Sequence, residues 1–472
     1  MNNLLLVGLL GSAVIIYLGS LNWRRSVKAA LVIVIIEGAL RKWAFPQLSE
    51  LIFFLKDFVL IGAYLSYFFS SSSPKRLIPQ NDTIKLLLSL FVTWALVQAF
   101  NPALGSPVIG IFGLKNYLIY VPLIWVVPAL FNSEEELYKF LRTYLLILIP
   151  VGLLATAQFF SPPDSPLNVY AQDDATSTAT FGSSNSVRVT GTFSYLAGYG
   201  IYATTCLSLL LPILTRNQPL LWRGLAYAEL MLIAITIFMT GGRGPVLTAG
   251  LLLAGYFSIQ GVTQFSSFFR SIRKFLLPGA IATALLIYQY SSALDAFWYR
   301  ATNASDSLSG RITSSFLEPF TYTQGQQFGG YGTGATYQAN EIIRNLFNLP
   351  AGEPIHTGYE AEMGRVILEL GWVGFLLWYG FRLVLLFLVW RIYQKLKQPF
   401  LRQLALGIFL IQAIHLPAQI VFNHTAGIYY WFLHGLAFLL PNLERIANWQ
   451  FYQQQLQYYY ALTSNPSSSS EQ

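Results

Sequence analysis

The chain is poor in charge and nearly free of cysteine. Asp, Glu, Lys and Arg make up only 11% of its 472 residues, where a soluble globular protein carries about 25%. The single cysteine, Cys206, excludes an intrachain disulfide framework and any zinc site built on cysteines. Histidine is scarce as well, with four residues. What fills the chain instead is apolar: 54% hydrophobic residues, 16% aromatic residues and a mean hydropathy of +0.50. Long apolar runs with so little charge describe an all-α polytopic membrane protein, whose partner is a lipid bilayer. The net charge of +8 is no nucleic-acid signal here, because its placement sets topology instead.

Thirteen apolar runs are recognisable, at 4–21, 27–40, 51–70, 86–100, 110–131, 143–160, 197–215, 224–240, 245–259, 275–290, 365–389, 404–422 and 426–441. A helix of about 20 residues crosses a bilayer core of ~30 Å, so about thirteen transmembrane helices are expected, or twelve if one short run is false. The first run, in "NNLLLVGLLGSAVIIYLGSLNWRRSVK", lacks a leading basic region and a small-residue cleavage site, and reads as a retained helix. If the connection holding Arg24, Arg25 and Lys28 is cytoplasmic, alternation places eighteen basic residues in cytoplasmic connections. Seven then fall outside: Arg41, Lys42, Arg188, Arg243, Arg300, Arg311 and Arg344. That bias predicts an outer N-terminus and a cytoplasmic tail at 442–472. Residues 1–290 then hold ten spans and 365–441 three. The two long connections, 161–196 and 291–364, both lie outside, and the second is rich enough in apolar residues to form a small helical cap.

Candidate chemistry collects on that outer side. "FMTGGRGPVLTAG" places Arg243 between glycines, with Pro245 opening a helix. An arginine beside a helix N-terminus is an anion site; the plainer alternative is snorkelling to the interface. Arg311, in "SDSLSGRITSSF", reads equally well as a solvated residue. "GEPIHTGYEAEMGRVILELGWVGFLLW" sets His356, Glu360 and Glu362 just ahead of a span. His415 and His434 fall within spans, and His424 on the short connection "FNHTAG". "EGALRKWAFPQLSELIFFLKDF" carries Glu37, Arg41, Lys42, Lys56 and Asp57 in or beside early spans. Ionisable groups there are costly, and structural pairing between helices is the simpler account.

Together these stretches resemble the O-antigen ligase and polymerase family of bacterial envelope glycosyltransferases. The resemblance is carried by "TGGRGP", "SGRITSSF", "GGYGTGA" and "HTGYEAEMGRVILELGWVGFLLW", in that order, and by "RVTGTFSYLAGYG" at Arg188–Gly200. It is specific over about 185–380 and general in hydropathy before that. The family usually has Asn after this histidine, where this chain has Thr357, and its members often have twelve spans.

The resemblance implies a fold similar to GT-C type glycosyltransferases in the bacterial inner membrane, with the active site facing the periplasm. It implies transfer of a glycan from an undecaprenyl diphosphate carrier to the hydroxyl of a glycan or lipid-linked acceptor. No Asp-x-Asp motif is present to hold a metal, so neither metal nor cofactor is expected. Arginine can neutralise a leaving diphosphate through bidentate contacts. Arg243 and Arg311, with Arg188 and Lys115 near the same side, are the expected diphosphate-binding residues. His356 is the expected general base, with Glu360 or Glu362 as its orienting partner or replacement. Beyond Arg243 and Arg311, the cations Arg188, Arg300, Arg344 and Lys115 on or near the outer side favour a polymerase, which handles two diphosphates, over a ligase. A transporter or a non-catalytic envelope scaffold are the alternatives. A transporter would place its deepest polar cavity at the bilayer midplane.

Overall fold

The structure is a computed structural model that describes residues 2–70, 82–171, 178–181, 186–263, 265–303, 308–321 and 329–464. Among these residues there is no β-strand, only an isolated antiparallel bridge between Thr180 and Val187. The helices are α1 Asn2–Leu21, α2 Trp23–Ala39, α3 Ser49–Phe53, α4 Leu55–Phe69, α5 Asp82–Ala99, α6 Pro107–Leu118, α7 Leu123–Val126, α8 Glu134–Leu146, α9 Leu148–Phe160 and α10 Leu196–Thr215. They continue with α11 Leu220–Met239, α12 Arg243–Thr263, α13 Phe265–Tyr288, α14 Ser291–Asn303, α15 Leu308–Thr321, α16 Asn340–Phe347, α17 Glu362–Lys395, α18 Pro399–Ile414 and α19 His424–Ser464.

Each of the thirteen apolar runs overlaps a helix, although α18 stops at Ile414, within the 404–422 run, and fewer of these helices could cross a bilayer unaided. Among the described residues, eight are long and apolar enough, and nine if α13 and α14, bent by 75° at their junction, form one broken span. The difference has local causes. Helix α2 carries Arg24, Arg25, Lys28 and Glu37 within 17 residues, and α18 is only 16 residues long.

Helix α10 is the axis of the bundle. Nearly all its residues are buried, as expected of a helix that is apolar all round. Small residues let its neighbours approach: Gly407 brings α18 directly against the Ser208 carbonyl. Arg142 on α8 and Glu229 on α11 form a buried bidentate pair at 2.9 Å, which fixes α8 against α11.

Helix α17 is not one rod. Gly371 has φ 63° and ψ −172° within it, a conformation open only to glycine. Glu362 and Arg382 would be about 30 Å apart on a straight helix, yet their side chains pair at 3.0 Å. The chain must therefore fold back at Gly371, so that 362–370 forms a half-helix lying against 372–395. The "GGYGTGA" segment docks on the broken backbone. Gly330, Gly332 and Gly334 all take positive φ. Tyr331 and Gly332 donate to the Leu368 and Glu369 carbonyls at 2.7 and 3.0 Å. Thr336 donates to the Glu369 carboxylate through its backbone and its hydroxyl, at 2.9 and 2.7 Å. Glycine is needed here because a Cβ at Gly330 would sit 2.8 Å from both carbonyl oxygens.

Candidate functional site

A polar cavity among the described residues lies where helices end, not midway along them. It has a volume of about 430 Å³, within the range of small-molecule sites (~300–1,000 Å³). Its walls come from the end of α2, the α3–α4 junction, residues 193–198 at the start of α10, Gln338 of the long connection, and residues 419–425 at the start of α19.

The end of α2 widens into a π-helical turn, Leu40–Ala44, a geometry common at functional sites. The extra residue sends two neighbouring cations to different places. Arg41 donates to the Ser49 and Ser194 hydroxyls, both at 2.9 Å, and to the Ala171 carbonyl at 3.2 Å. Lys42 turns inward and donates to Thr190 Oγ1 at 3.0 Å and the Gly191 carbonyl at 2.7 Å. Burial away from water pushes the Lys42 ammonium down to about 7. The two cations thus bind the 161–196 connection to the helix end.

Beneath the cavity, Lys56 pairs with Glu37 at 2.6 Å and donates to the Phe53 carbonyl at 2.6 Å. Glu37 also lies 3.6 Å from Arg41. Lys115 pairs with Asp57 at 2.5 Å, and Tyr120 donates to Asp57 at 2.7 Å. His424 stacks on Phe53 with ring centroids 4.8 Å apart, and its Nε2 meets Asn116 Oδ1 at 3.2 Å. Burial first, then the nearby Lys115, holds the His424 imidazole well below its ordinary range.

Among the described residues, none of the expected site residues lines this cavity. Arg188 packs against Gly241 of the "TGGRGP" turn and donates to the Thr240 carbonyl at 3.1 Å. The same turn reaches α10 where Pro245 meets Gly200, two residues beyond the cavity-lining Gly198. Arg243 opens α12 there and is half-buried. Lys115 is brought beneath the cavity, but in an ion pair. Arg311 is on α15, and its side chain lies outside the described residues, as does that of Arg300. Arg344 is engaged in fixing its own loop, through the carbonyls of Pro350 and Leu104.

His356 and Glu360 are exposed, and the Glu360 carbonyl accepts a hydrogen bond from the cavity-lining Gln419 at 2.6 Å. Their loop therefore reaches the cavity rim. Glu362 does not share that position. It is fully buried, paired with Arg382, and accepts the backbone N–H groups of Ile420 and Val421. This carboxylate anchors the folded-back half-helix and is not open to an acceptor, so His356 and Glu360 remain as the accessible pair. Among the described residues, no cluster of three His, Cys, Asp or Glu side chains is placed to hold a metal.

Glu37, Arg41, Lys42, Lys56 and Asp57 are the charges the sequence reading assigned to structural pairing, and His424, which it left on a short connection without a role, joins them here. These charges were visible, but nothing in their spacing shows that α2, α4, α6 and α19 converge. No protein-family model matches this chain, and no curated protein is significantly similar to it.

Proposed function

We propose that this chain is a membrane glycosyltransferase that moves a glycan from an undecaprenyl diphosphate carrier to an acceptor hydroxyl at the periplasmic face of a bacterial inner membrane. The observation that carries this reading is the position of the polar cavity, at helix ends, with a wall from each long connection. A lipid carrier remains in the bilayer while its sugar must reach an acceptor outside, and a site at the lip of the bundle meets both demands. Arg243 and Arg188, with Arg311, supply the cations for the leaving diphosphate. His356 takes the acceptor proton, assisted by Glu360. A transporter shares one feature, the discontinuous helix α17. However, Glu362 of its half-helix is paired with Arg382, and Thr336 donates to one oxygen of Glu369.

Orientation can be tested directly. Cys206 is buried, so a new cysteine in place of the exposed Glu353 reports with little background. It is expected to react with an impermeant maleimide in intact spheroplasts. Labelling only after permeabilisation would place this face in the cytoplasm and reject the reading.

The reaction itself needs purified protein and undecaprenyl-diphosphate-linked repeat units. A ladder of longer lipid-linked glycans marks a polymerase; a single transfer to a distinct supplied acceptor marks a ligase. With Arg344 and Lys115 held in internal contacts, surplus cations no longer favour the polymerase. No product with either acceptor would reject the proposal.

A further inference from the structure

Arg365 is a costly residue to keep where it stands. It follows Glu362 in the first turn of α17 and is only 3% exposed, and a buried charge needs compensation. The groups it donates to are neutral. Its Nε donates to the Thr336 hydroxyl at 3.1 Å, and its Nη2 to the Thr336 carbonyl at 2.5 Å. The same hydroxyl donates to Glu369 Oε1 at 2.7 Å. Thr336 thus stands between the guanidinium and the nearest turn's carboxylate and links them.

The face of the guanidinium is used as well. Its central carbon lies 3.6 Å from the centre of the Phe422 ring and 5.7 Å from that of Tyr359, both within cation–π reach (~6 Å). These rings belong to the two parts of the proposed site. Phe422 is a wall of the polar cavity. Tyr359 lies three residues after His356 and next to Glu360. Thr336, in turn, stands two residues before Gln338, another wall of the cavity. The loop that carries His356 is also tied through its backbone. The Glu353 N–H donates to the Ala103 carbonyl at 2.8 Å, and the Glu360 carbonyl accepts from Gln419 at 2.6 Å. Arg365 adds a grip on a side chain, the Tyr359 ring. An apolar residue would fill the same space without burying a charge, but it could neither fork onto Thr336 nor attract two rings.

We propose that Arg365 is a positioning residue for transfer, which fixes the loop of His356 and Glu360 against the cavity wall so that the base meets the acceptor hydroxyl at the lip. The proposal rests on the transfer reading for the reaction it serves; the clamp on the loop is measurable without turnover.

Arg365→Lys keeps the charge and loses the plane and the fork. With the full chain in nanodiscs, hydrogen–deuterium exchange of the 355–361 amides is expected to quicken by about ten-fold, a local opening, while the melting temperature and the exchange of α10 stay as in the wild type. Phe422→Leu removes one ring, leaves the arginine in place, and is expected to act in the same direction. Thr336→Ser keeps both acceptors and is expected to match the wild type. Misplacing a reacting group by about 1 Å can cost ~100-fold, so kcat is expected to fall by that order in Arg365→Lys. The pH profile separates positioning from a loss of folded protein. A histidine base makes the wild-type rate fall on acidification. That fall is expected to flatten in Arg365→Lys, which a smaller folded fraction would not cause. If Arg365→Lys does not fold, Phe422→Leu carries the same readouts. Wild-type loop exchange in both variants would overturn the proposal, as would quickened exchange with an unchanged rate and pH profile. Quickened exchange in a protein that transfers to no acceptor keeps the clamp and rejects the transfer reading.

Discussion

Replacing Arg243 with alanine is expected to slow glycan transfer by about 100- to 1000-fold, the effect of removing a contact that strengthens in the transition state, ~3–4 kcal/mol. Negative charge grows on the diphosphate as the glycosidic bond breaks, and a guanidinium meets two of its oxygens at once. Arg243→Lys is expected to recover only part of the rate, because an ammonium is a point charge without the planar fork. The substitution should leave the fold intact. Arg243 is the first residue of α12 and only half-buried, and the turn before it is held by the Arg188 guanidinium and the Val189 N–H, which donate to the Thr240 and Met239 carbonyls. Initial rates with a lipid-linked donor, alongside the melting temperature of each variant, test this. A near-wild-type rate in Arg243→Ala removes the residue from the mechanism.

The second large effect concerns folding. Arg382→Met is expected to destabilise the protein by about 3–5 kcal/mol, because breaking a buried pair leaves its partner uncompensated. Both side chains of the Arg382–Glu362 pair are 0% exposed. The abandoned carboxylate would keep only the Ile420 and Val421 N–H groups. Adding Glu362→Gln removes the stranded charge while keeping an oxygen for those two donors. The double variant is therefore expected to recover much of the loss. Folded yield in size-exclusion chromatography and thermal unfolding in detergent report both effects. If Arg382→Met alone melts like the wild type, α17 does not fold back at Gly371 as described.

These expectations draw on different levels of information. The helical class was legible in the sequence because each apolar run of bilayer length leaves the backbone no better option than a helix. Helix-start signals were legible too, such as Pro245 beside Arg243. The folded-back α17 was not. From Glu362 to Lys395 the residues keep a continuous helical pattern, and a lone glycine inside such a pattern, like Gly371, is ordinarily tolerated in a helix. Only the docked 329–337 segment and the 362–382 ion pair reveal the reversal.

The sequence by itself determined that this is an all-helical chain with helices compatible with a bilayer. It also determined that its charge is too sparse to be scattered, so that each buried ion needs a partner. Tertiary structure alone decided which ions those partners are. Glu362 was counted with His356 because they are six residues apart, yet it lies buried against Arg382 while His356 is exposed. Lys56 and His424 are 368 residues apart, yet both line one cavity. Periodicity reports which face of a helix is apolar. It does not report which other helix ends stand beside it, and a site built from helix ends is assembled by that choice.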